Sequence, residues 1–469
     1  MTVGGARPAA GRRERTRLSR RRILAAGAGA GGLALAACGP TPGGGASQSG
    51  APPGSTQPAT LLWQIRSGPT YQQLATWAVG EFQRRRPNVT IEPSADTTGN
   101  FEKTTAMMVA GSGPDIFHGW GRLMVQYAAK GVMFNHNDLI KDLKPADVND
   151  FVEYQWKGLV IPTTSFRYGL PTYVNMFVLY FNKALFLRRG QKEPTADWTH
   201  DDYATALKQM TFAEGDKRVW GGFARIDIPD RQYHVKAFGG HYVDPKDLTK
   251  SQLHLAPAQQ ALEWQRARLW TDQSWAPIDA KRRTWQPDHQ WDGFGQGVLA
   301  TIEDGLHGLQ SIAQKASGFE WNITHIPKGP AKRDSLVTTD SWALWKSTKA
   351  KDAGWEFLKF LTSKEFYDQQ AKIEGLIPSR KSALDTWVSL MKEKLAALPG
   401  FNFKVVTDGL TTMNYLTVDE VFLCQNEAER VLSDGMTQVF VNGEKPASHF
   451  RDIQPQLDQM AGGCGASFS

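Results

Sequence analysis

The chain has 469 residues and a formal charge of +7, but that charge is confined to its first 37 residues. Those residues contain eight Arg and one Glu, so 46 basic and 46 acidic residues remain for the rest of the chain. The neutral remainder excludes a protein that binds nucleic acid or an anionic surface through its net charge. Its 432 residues exceed what one hydrophobic core usually supports, which predicts two domains.

The N-terminal segment 1–37 has the parts of an export signal. Three arginines occupy positions 20–22, a run without charge follows over 25–37, and Leu-Ala-Ala precedes Cys38. The apolar run is too short to span a bilayer of about 30 Å comfortably, which favours removal over a permanent anchor. The consecutive arginines resemble a twin-arginine export signal. Leu-Ala-Ala-Cys resembles a lipobox, in which Cys38 is lipidated and becomes the first mature residue.

Residues 38–59 form a predicted flexible tether, and an alternation of strands and helices begins at residue 60. The tether is rich in Gly, Pro and Ser and contains nothing able to build a core. Apolar runs and helical spacing of apolar residues predict strands at 61–65, 89–91 and 114–117 and helices at 71–86, 101–110 and 350–361. Strands that alternate with helices of this length predict an α/β fold built from parallel βαβ units.

Beyond Cys38 the chain contains only two cysteines, Cys424 and Cys464. In an oxidising compartment they can form one disulfide, and two buried unpaired thiols are nearly as compatible with the sequence. Neither has a His or Cys neighbour at metal-ligand spacing, so no metal site is predicted. Since no P-loop, zinc-protease or nucleophile-elbow motif occurs after residue 37, neither a cofactor nor a catalytic residue is predicted.

Four aromatic residues are predicted to lie where a strand ends and a loop begins: Trp63, Trp120, Tyr173 and Trp342. In open α/β sheets, ligands bind outside the carboxyl ends of the strands. A flat aromatic ring at that edge can stack on the C–H face of a sugar while nearby polar groups bind the hydroxyls. The four residues are therefore candidates for ligand contact, although core packing is the commoner role of a tryptophan.

Segments spread over some 270 residues resemble, in order, those of the extracytoplasmic solute-binding proteins of ABC importers. The resemblance is to the sugar-binding type, which includes maltose-binding protein. The matching segments lie at 111–116, 127–132, 168–171, 179–183, 294–302, 326–330, 340–344, 353–361 and 375–380. Each segment alone is weak, so the shared order carries the resemblance, and the lipoprotein signal agrees with it independently.

The resemblance implies two α/β lobes, each a mainly parallel sheet flanked by helices, with a ligand cleft at the hinge. Lobe 1 would comprise 60–172 and 341–375, and lobe 2 would comprise 173–340 and 376–469. The chain would cross the hinge at three places, near 171–175, 338–341 and 375–378. Ligand contacts would come from the loops that hold Trp63, Trp120, Tyr173, Gly305 and Trp342, together with Asp340.

One segment departs from the family pattern. After 300–302, sugar-binding relatives often carry Gly-x-Trp, whose indole stacks on the sugar. Here 303–308 is Glu-Asp-Gly-Leu-His-Gly, so the imidazole of His307 is the only ring at this point. The departure weakens the case for an oligosaccharide stacked here and leaves the identity of the ligand open.

The implied function is that of a monomeric, lipid-anchored receptor on the outer face of the cytoplasmic membrane. It would capture a small polar solute, a sugar or sugar derivative, and deliver it to the transmembrane subunits of an ABC permease. It would perform no chemistry and bind no cofactor and no nucleic acid.

Two alternatives remain open at this stage. The first is a receptor for a phosphorylated polyol such as glycerol phosphate. Arg380, beside the third predicted crossing, is its candidate ligand because a guanidinium matches phosphate bidentately. The second is an exported enzyme that acts on polysaccharide, since clefts lined by aromatic rings and acids also serve glycosidases.

Overall fold

The computed structural model describes residues 57–96, 101–215, 217–223, 229–283, 285 and 289–465. All of them belong to one unit, Pro52–Ser469. The predicted signal segment, Cys38 and most of the predicted tether lie outside the described residues. Within the described ranges, no helix is both long and apolar enough to cross a membrane.

The strands of the described residues are β1 Ala59–Arg66, β2 Val89–Asp96, β3 Ile116–Gly119, β4 Leu170–Pro171, β5 Phe177–Asn182, β6 Phe212–Glu214, β7 Lys217–Val219, β8 Val243–Asp244, β9 Asp247–Ser251, β10 Thr301–Gly305, β11 Trp321–Thr324, β12 Ser335–Leu336, β13 Ser341–Leu344 and β14 Leu416–Thr417.

The α-helices of the described residues are α1 Pro69–Arg85, α2 Phe101–Val109, α3 Gly121–Ala129, α4 Pro145–Asp150, α5 Glu153–Gly158, α6 Lys183–Arg188, α7 His200–Gln209, α8 Pro229–Ala237, α9 Ala256–Trp270, α10 Gln290–Gly295, α11 Leu309–Lys315, α12 Lys351–Leu361, α13 Lys364–Glu374, α14 Leu384–Lys394, α15 Lys404–Thr411, α16 Gln425–Met436, α17 His449–Asp452 and α18 Gln454–Gly462.

The first sheet has the strand order β2-β1-β3-β13-β4. Its β1 runs parallel to both β2 and β3, while β13 runs antiparallel to β3 and β4. Alternate side chains of β1, those of Leu61, Trp63 and Ile65, are buried, as the two-residue period of a strand requires. Helix α1 covers the sheet with an apolar face that includes Leu74 and Phe82. The predicted α/β class is confirmed.

The second sheet has the order β10-β5-β11. Both outer strands run antiparallel to β5, so the prediction of a mainly parallel second sheet is wrong. The outer strands run parallel to each other and are joined through α11, and β5 lies between them. Every residue of β5 is buried, which agrees with its continuous run Phe-Val-Leu-Tyr-Phe-Asn.

The three segments predicted to cross the hinge lie side by side. The Thr172 amide donates to the Asp340 carbonyl (3.1 Å), and the Val174 amide donates to the Ile377 carbonyl (2.8 Å). The Thr338 amide donates to the carbonyl of Asn175, the last residue of the first segment (3.1 Å). The first segment leads from β4 of the first sheet to β5 of the second. The predicted lobe boundaries themselves stay a prediction.

The two cysteines left open by the sequence form a disulfide. The sulfurs of Cys424 and Cys464 are 1.99 Å apart. The bond joins the residue before α16 to a residue just after α18, and it closes a loop with a sequence separation of 40. It therefore fixes the C-terminal helices to each other.

Candidate functional site

A small cavity lies at the carboxyl end of β1, next to the first crossing segment. Its walls come from β1, α1, β3, β13, α13 and the stretch after β4. The lining residues are Trp63, Ile65, Arg66, Tyr71, Leu74, Ala75, His118, Thr172, Tyr173, Trp342, Phe366, Gln370 and Glu374. The cavity volume of about 20 Å³ holds one or two water molecules but not a sugar ring.

A hydrogen-bonded bridge runs along one side of this cavity. The Nη1 group of Arg66 donates to the hydroxyl of Tyr173 (2.8 Å), which donates to Oδ1 of Asp340 (3.1 Å). The other Asp340 oxygen accepts from the hydroxyl of Thr338. Arg66 ends β1, Tyr173 lies in the first crossing and Asp340 in the second. The bridge therefore fastens two crossing segments to the carboxyl end of β1 in the first sheet.

His118, on β3, adds a neutral imidazole to the same place. Its ring centroid lies 5.2 Å from that of Trp342, and its Nε2 lies 3.7 Å from Oδ1 of Asp340. Burial, assisted by the positive charge of Arg66, lowers the pKa of His118 well below its ordinary value. The ring is therefore uncharged at neutral pH and can either donate or accept through Nε2.

Trp63 and Trp342 both line the cavity, but they lie within strands rather than in the loops that follow them. Their ring centroids are 5.5 Å apart, and Phe357 meets the Trp63 ring edge-on at 5.0 Å. Only 1% of Trp63 and 6% of Trp342 is exposed. The two rings therefore form part of the apolar wall of the cavity, and their indole N–H groups are buried without a partner in the described part of the chain.

Helix α13 supplies the opposite wall through Gln370 and Glu374. Burial raises the pKa of Glu374 to about 7, against the lowering effects of a hydrogen bond from Gln370 and of the Arg66 charge. Nε2 of Gln370 donates to Oε2 of Glu374 (3.1 Å). Glu374 is therefore a carboxyl group that is close to half protonated at neutral pH.

Some of the buried polar atoms without a partner in the described part of the chain belong to the walls of this cavity. Six of them belong to its lining residues: Trp63 Nε1, His118 Nε2, Thr172 Oγ1, Trp342 Nε1, Gln370 Oε1 and Glu374 Oε1. Buried polar groups are normally hydrogen-bonded, and leaving one unpaired costs about 1–3 kcal/mol. A polar ligand or a water molecule that reached these atoms would supply the missing hydrogen bonds.

Gly305 and His307 lie at the turn after β10 and are not among the residues that line this cavity. The Gly305 carbonyl accepts from the Tyr180 hydroxyl (3.2 Å), and a methyl group at Gly305 would lie 2.2 Å from Oδ1 of Asn175. The His307 amide donates to that same oxygen (3.2 Å), and the His307 side chain is exposed. Through Asn175, this turn is attached to the first crossing segment.

An indole does stand at this turn, although the Gly-x-Trp pattern is missing. Trp291, on α10, donates from Nε1 to Asp304 Oδ2 (2.6 Å). Its ring centroid lies 5.6 Å from that of His307, and its ring atoms would lie 2.4 Å from a methyl group at Gly308. Trp291 comes before β10 in sequence, so a search for the motif after β10 could not find it.

Trp120 is the residue before α3, and its side chain is partly exposed. Its carbonyl accepts from the amides of Leu123 and Met124 in the first turn of the helix. It is not among the residues that line the cavity, so a role for it in ligand contact stays a prediction.

Arg380 does not line the cavity, and its guanidinium is already paired. Its Nε donates to the Thr362 carbonyl (2.5 Å) and its Nη1 to Asp150 Oδ2 (3.2 Å). The guanidinium also lies 4.3 Å from the centre of the Phe151 ring, and only 8% of the residue is exposed. These contacts occupy Nε and Nη1 of Arg380, and its role as a phosphate ligand stays a prediction.

We expect Arg380→Gln to lower the free energy of unfolding by about 1–3 kcal/mol, because it removes the charged donor to the Thr362 carbonyl and to the partly buried carboxylate of Asp150. Ligand affinity should change less than threefold once the variant is folded. Urea denaturation measures the free energy of unfolding, and calorimetry with the bound solute measures the ligand affinity. Lys404→Gln, at an ion pair whose lysine is 81% exposed, is the control and should unfold like the wild type. A large loss of affinity in folded Arg380→Gln would return Arg380 to the binding site.

Comparison with known proteins agrees with the α/β fold described above. The sequence profile described as "Bacterial extracellular solute-binding protein" matches residues 34–367 of this chain.

Solved structures with the same fold cover most of this chain at low sequence identity. An ABC substrate-binding protein of Listeria monocytogenes, in complex with cycloalternan, has a TM-score of 0.71 at 20% identity and covers 87% of this chain and 100% of its own. The sugar-binding protein MalE of Xanthomonas citri has a TM-score of 0.71 at 16% identity, with 86% and 97% covered. UgpB of Mycobacterium tuberculosis, in complex with glycerophosphocholine, has a TM-score of 0.67 at 19% identity, with 86% and 98% covered.

Proposed function

This chain belongs to the bacterial extracellular solute-binding protein family, and on that premise we propose that its solute is a sugar or a sugar derivative. The family consists of receptors that bind a solute for ABC importers and are not enzymes. The exported polysaccharide-acting enzyme considered from the sequence is therefore set aside. The identity of the solute, the lipid anchor and the binding motion are proposals.

The observation that carries the proposal is the cavity of aromatic rings and unpartnered polar atoms beside the crossing segments. Trp63, Trp342 and Tyr173 supply apolar surface, and six buried polar atoms supply unmet hydrogen bonds. Ligand sites for small polar molecules combine these two features. Cycloalternan in the Listeria protein and the sugar-binding role of the Xanthomonas protein support a sugar as the solute.

A cavity of about 20 Å³ cannot admit a sugar, and all its lining residues except Tyr173 belong to the predicted lobe 1, so the solute would bind where the cavity faces the crossing segments and lobe 2. The three crossing segments are the natural hinge for closure of the two predicted lobes over it. A ligand that contacts both sides only after closure stabilises the closed state by its differential affinity for that state. In this mechanism the Arg66–Tyr173–Asp340 bridge holds the hinge segments in the orientation that the ligand needs.

The proposed anchor is a lipid on Cys38, added after export through the twin-arginine signal. The tether over 38–59 would keep the receptor near its permease, and more than one acyl chain would make the attachment stable. Cys38→Ser should move the protein from the detergent phase to the aqueous phase. Unchanged partitioning would contradict the anchor.

The test of the proposed function is to identify the solute that the protein retains and to reproduce its binding. Mass spectrometry of molecules released from freshly purified protein should detect a hydroxylated compound of sugar size. Added back at about 100 times its dissociation constant, that compound should stabilise the fold by about 2.7 kcal/mol. It should also compact the protein in small-angle scattering. Retention of a peptide or an amino acid, with no response to a sugar panel, would contradict the proposal.

A second candidate, a receptor for a phosphorylated polyol, keeps support from one specific observation. Arg380 stays a predicted ligand for it, although Nε and Nη1 of that guanidinium are occupied. Arg66, which the sequence analysis did not single out, lines the cavity with part of its guanidinium unbonded within the described residues. The glycerophosphocholine complex of the Mycobacterium protein shows that the fold accepts a phosphate-containing ligand.

A further inference from the structure

The guanidinium of Arg66 is bonded on one side only. Its two hydrogen bonds both start from Nη1 and end on the hydroxyls of Tyr71 (3.3 Å) and Tyr173 (2.8 Å). Among the side chains that the structure describes, which do not include that of Asp96, Arg66 forms no ion pair, and its Nε and Nη2 have no hydrogen-bond acceptor. The pair of N–H groups formed by Nε and Nη2 is the edge of a guanidinium that binds carboxylate or phosphate bidentately.

Two carboxyl groups beside the cavity, those of Asp340 and Glu374, do not occupy that edge. Asp340 is separated from Arg66 by the Tyr173 hydroxyl, and its two oxygens already accept from Tyr173 and Thr338. Glu374 accepts from Gln370 and, with a pKa of about 7, carries only part of a negative charge at neutral pH. Arg66 is partly buried, and a cation in such a place gains from a ligand that supplies a counter-ion.

Two further donors in the same cavity have no acceptor. The indole groups of Trp63 and Trp342 can only donate, and both Nε1 atoms are buried without a partner in the described part of the chain. With Arg66, three donor-only groups line one small cavity. A hydroxyl satisfies such a group but brings a hydrogen of its own, whereas a carboxylate or phosphate presents acceptors alone.

The wall formed by α13 has the opposite character. Oε1 of Gln370 and Oε1 of Glu374 are buried and unpartnered among the described residues, and both can accept from hydroxyl groups. We infer that the cavity is built for an acidic polyol, a carboxylate or phosphate joined to a hydroxylated carbon skeleton, whose oxyanion binds the free edge of Arg66. This inference rests on the proposed function and narrows its substrate class.

Matched pairs of compounds test the inference on the full chain purified from membranes in detergent. The pairs are glucuronate with glucose, glucose 6-phosphate with glucose, and glycerol 3-phosphate with glycerol, each titrated by calorimetry. At least one acid should bind more than about tenfold tighter than its neutral partner, since a charge-assisted bidentate contact is added. The carboxylate and phosphate arms distinguish the two sources of the oxyanion.

Variants then assign the preference to Arg66. Arg66→Gln should reduce the affinity for the preferred acid by about tenfold or more and change that for the neutral partner less than threefold. Arg66→Lys keeps the charge but loses the planar edge, so it should retain only part of the preference. Arg122→Gln, at a pair with Glu429 on α3 and α16, is the matched control and should retain all of it. Circular dichroism verifies that each variant is folded. If a variant misfolds, the comparison of acidic with neutral compounds on the wild-type protein still tests whether the protein prefers an acid.

The outcomes separate this inference from the proposed function. Equal or tighter binding of the neutral partners would overturn the acidic class while leaving a sugar receptor intact. An acid preference that survives in folded Arg66→Gln would overturn the role of Arg66. Binding of none of the compounds, together with a retained solute that is not a polyol, would overturn both proposals.

Discussion

Glu303→Ala is expected to lower the free energy of unfolding by about 3–5 kcal/mol, because it removes the charged centre of a buried network. Nε2 of His234 lies 2.7 Å from Oε2 of Glu303, and the Tyr233 hydroxyl donates to the same oxygen. Nδ1 of His234 in turn lies 2.9 Å from Nε2 of His200. Burial alone would raise the pKa of Glu303, but the charge and hydrogen bonds of His234 and Tyr233 outweigh it and lower that pKa.

Urea denaturation at pH 7 measures this effect. The matched control is Glu320→Ala, which removes a carboxylate that is 69% exposed and pairs with Lys183 at 3.2 Å. A surface pair of this kind contributes little, so the control should unfold at nearly the wild-type urea concentration. Similar midpoints for Glu303→Ala and Glu320→Ala would show that the buried network is not important for stability.

Acidification from pH 6.5 towards pH 4 is expected to destabilise the protein. Burial lowers the pKa of His136 to about 4, that of His200 to about 3 and that of His325 to about 4. Each ring is therefore neutral in the folded chain at a pH at which the unfolded chain, with a histidine pKa near 6.5, takes up a proton. Because the unfolded state binds more protons in this window, stability falls as the pH falls. Each histidine contributes a loss of about 1.4 kcal/mol per pH unit. Burial raises the pKa values of Glu374 and Asp419 to about 7, so each of these carboxyl groups offsets one histidine, and the net loss from the five groups is about 1.4 kcal/mol per pH unit.

His136 has the clearest structural reason to stay neutral. Its Nε2 accepts from the Leu344 amide (3.1 Å), and its Nδ1 lies 3.3 Å from the Arg167 carbonyl. One nitrogen must accept and the other must donate, so a second proton would destroy one of the two bonds. Urea denaturation at pH 7.5, 6.5, 5.5 and 4.5 should show that the free energy of unfolding falls with pH. His136→Gln should reduce the slope of that fall by about 1.4 kcal/mol per pH unit.

His241 provides the control of opposite sign. A hydrogen bond with Glu420 raises its pKa, so its contribution is present at low pH and is lost as the pH rises through that value. His241→Gln should therefore not flatten the loss on acidification. A stability that stays constant between pH 6.5 and 4.5 would contradict the assignment of neutral buried histidines.

The sequence predicts local features well where one element determines them. The alternation along Ala59–Arg66 identifies a strand with one buried face, and the predicted helix over 350–361 corresponds to Lys351–Leu361. In both segments the pattern of apolar residues suffices, because the period of the backbone decides which side chains meet the core. The family resemblance, read from short segments in order, likewise predicted the fold class.

Predictions that depended on distant partners fared less well. Arg380 looked like an available guanidinium, but Asp150, 230 positions earlier, pairs with it. Trp63 and Trp342 were expected in loops, yet they lie in two strands of one sheet with their rings against each other. A local sequence pattern contains no information about which remote side chain will contact a given group.

The sequence by itself determined the α/β class, the family, the positions of the main strands and helices, and the neutral charge of the chain after residue 37. Only the tertiary structure decided between disulfide and free thiols, and only it brought Arg66, His118 and Glu374 to one cavity from three separate elements. The physical reason is the range of the interactions. Periodicity and turn chemistry act over a few residues, whereas the pairing of sulfurs and the charge of a buried group depend on neighbours that chain folding brings together.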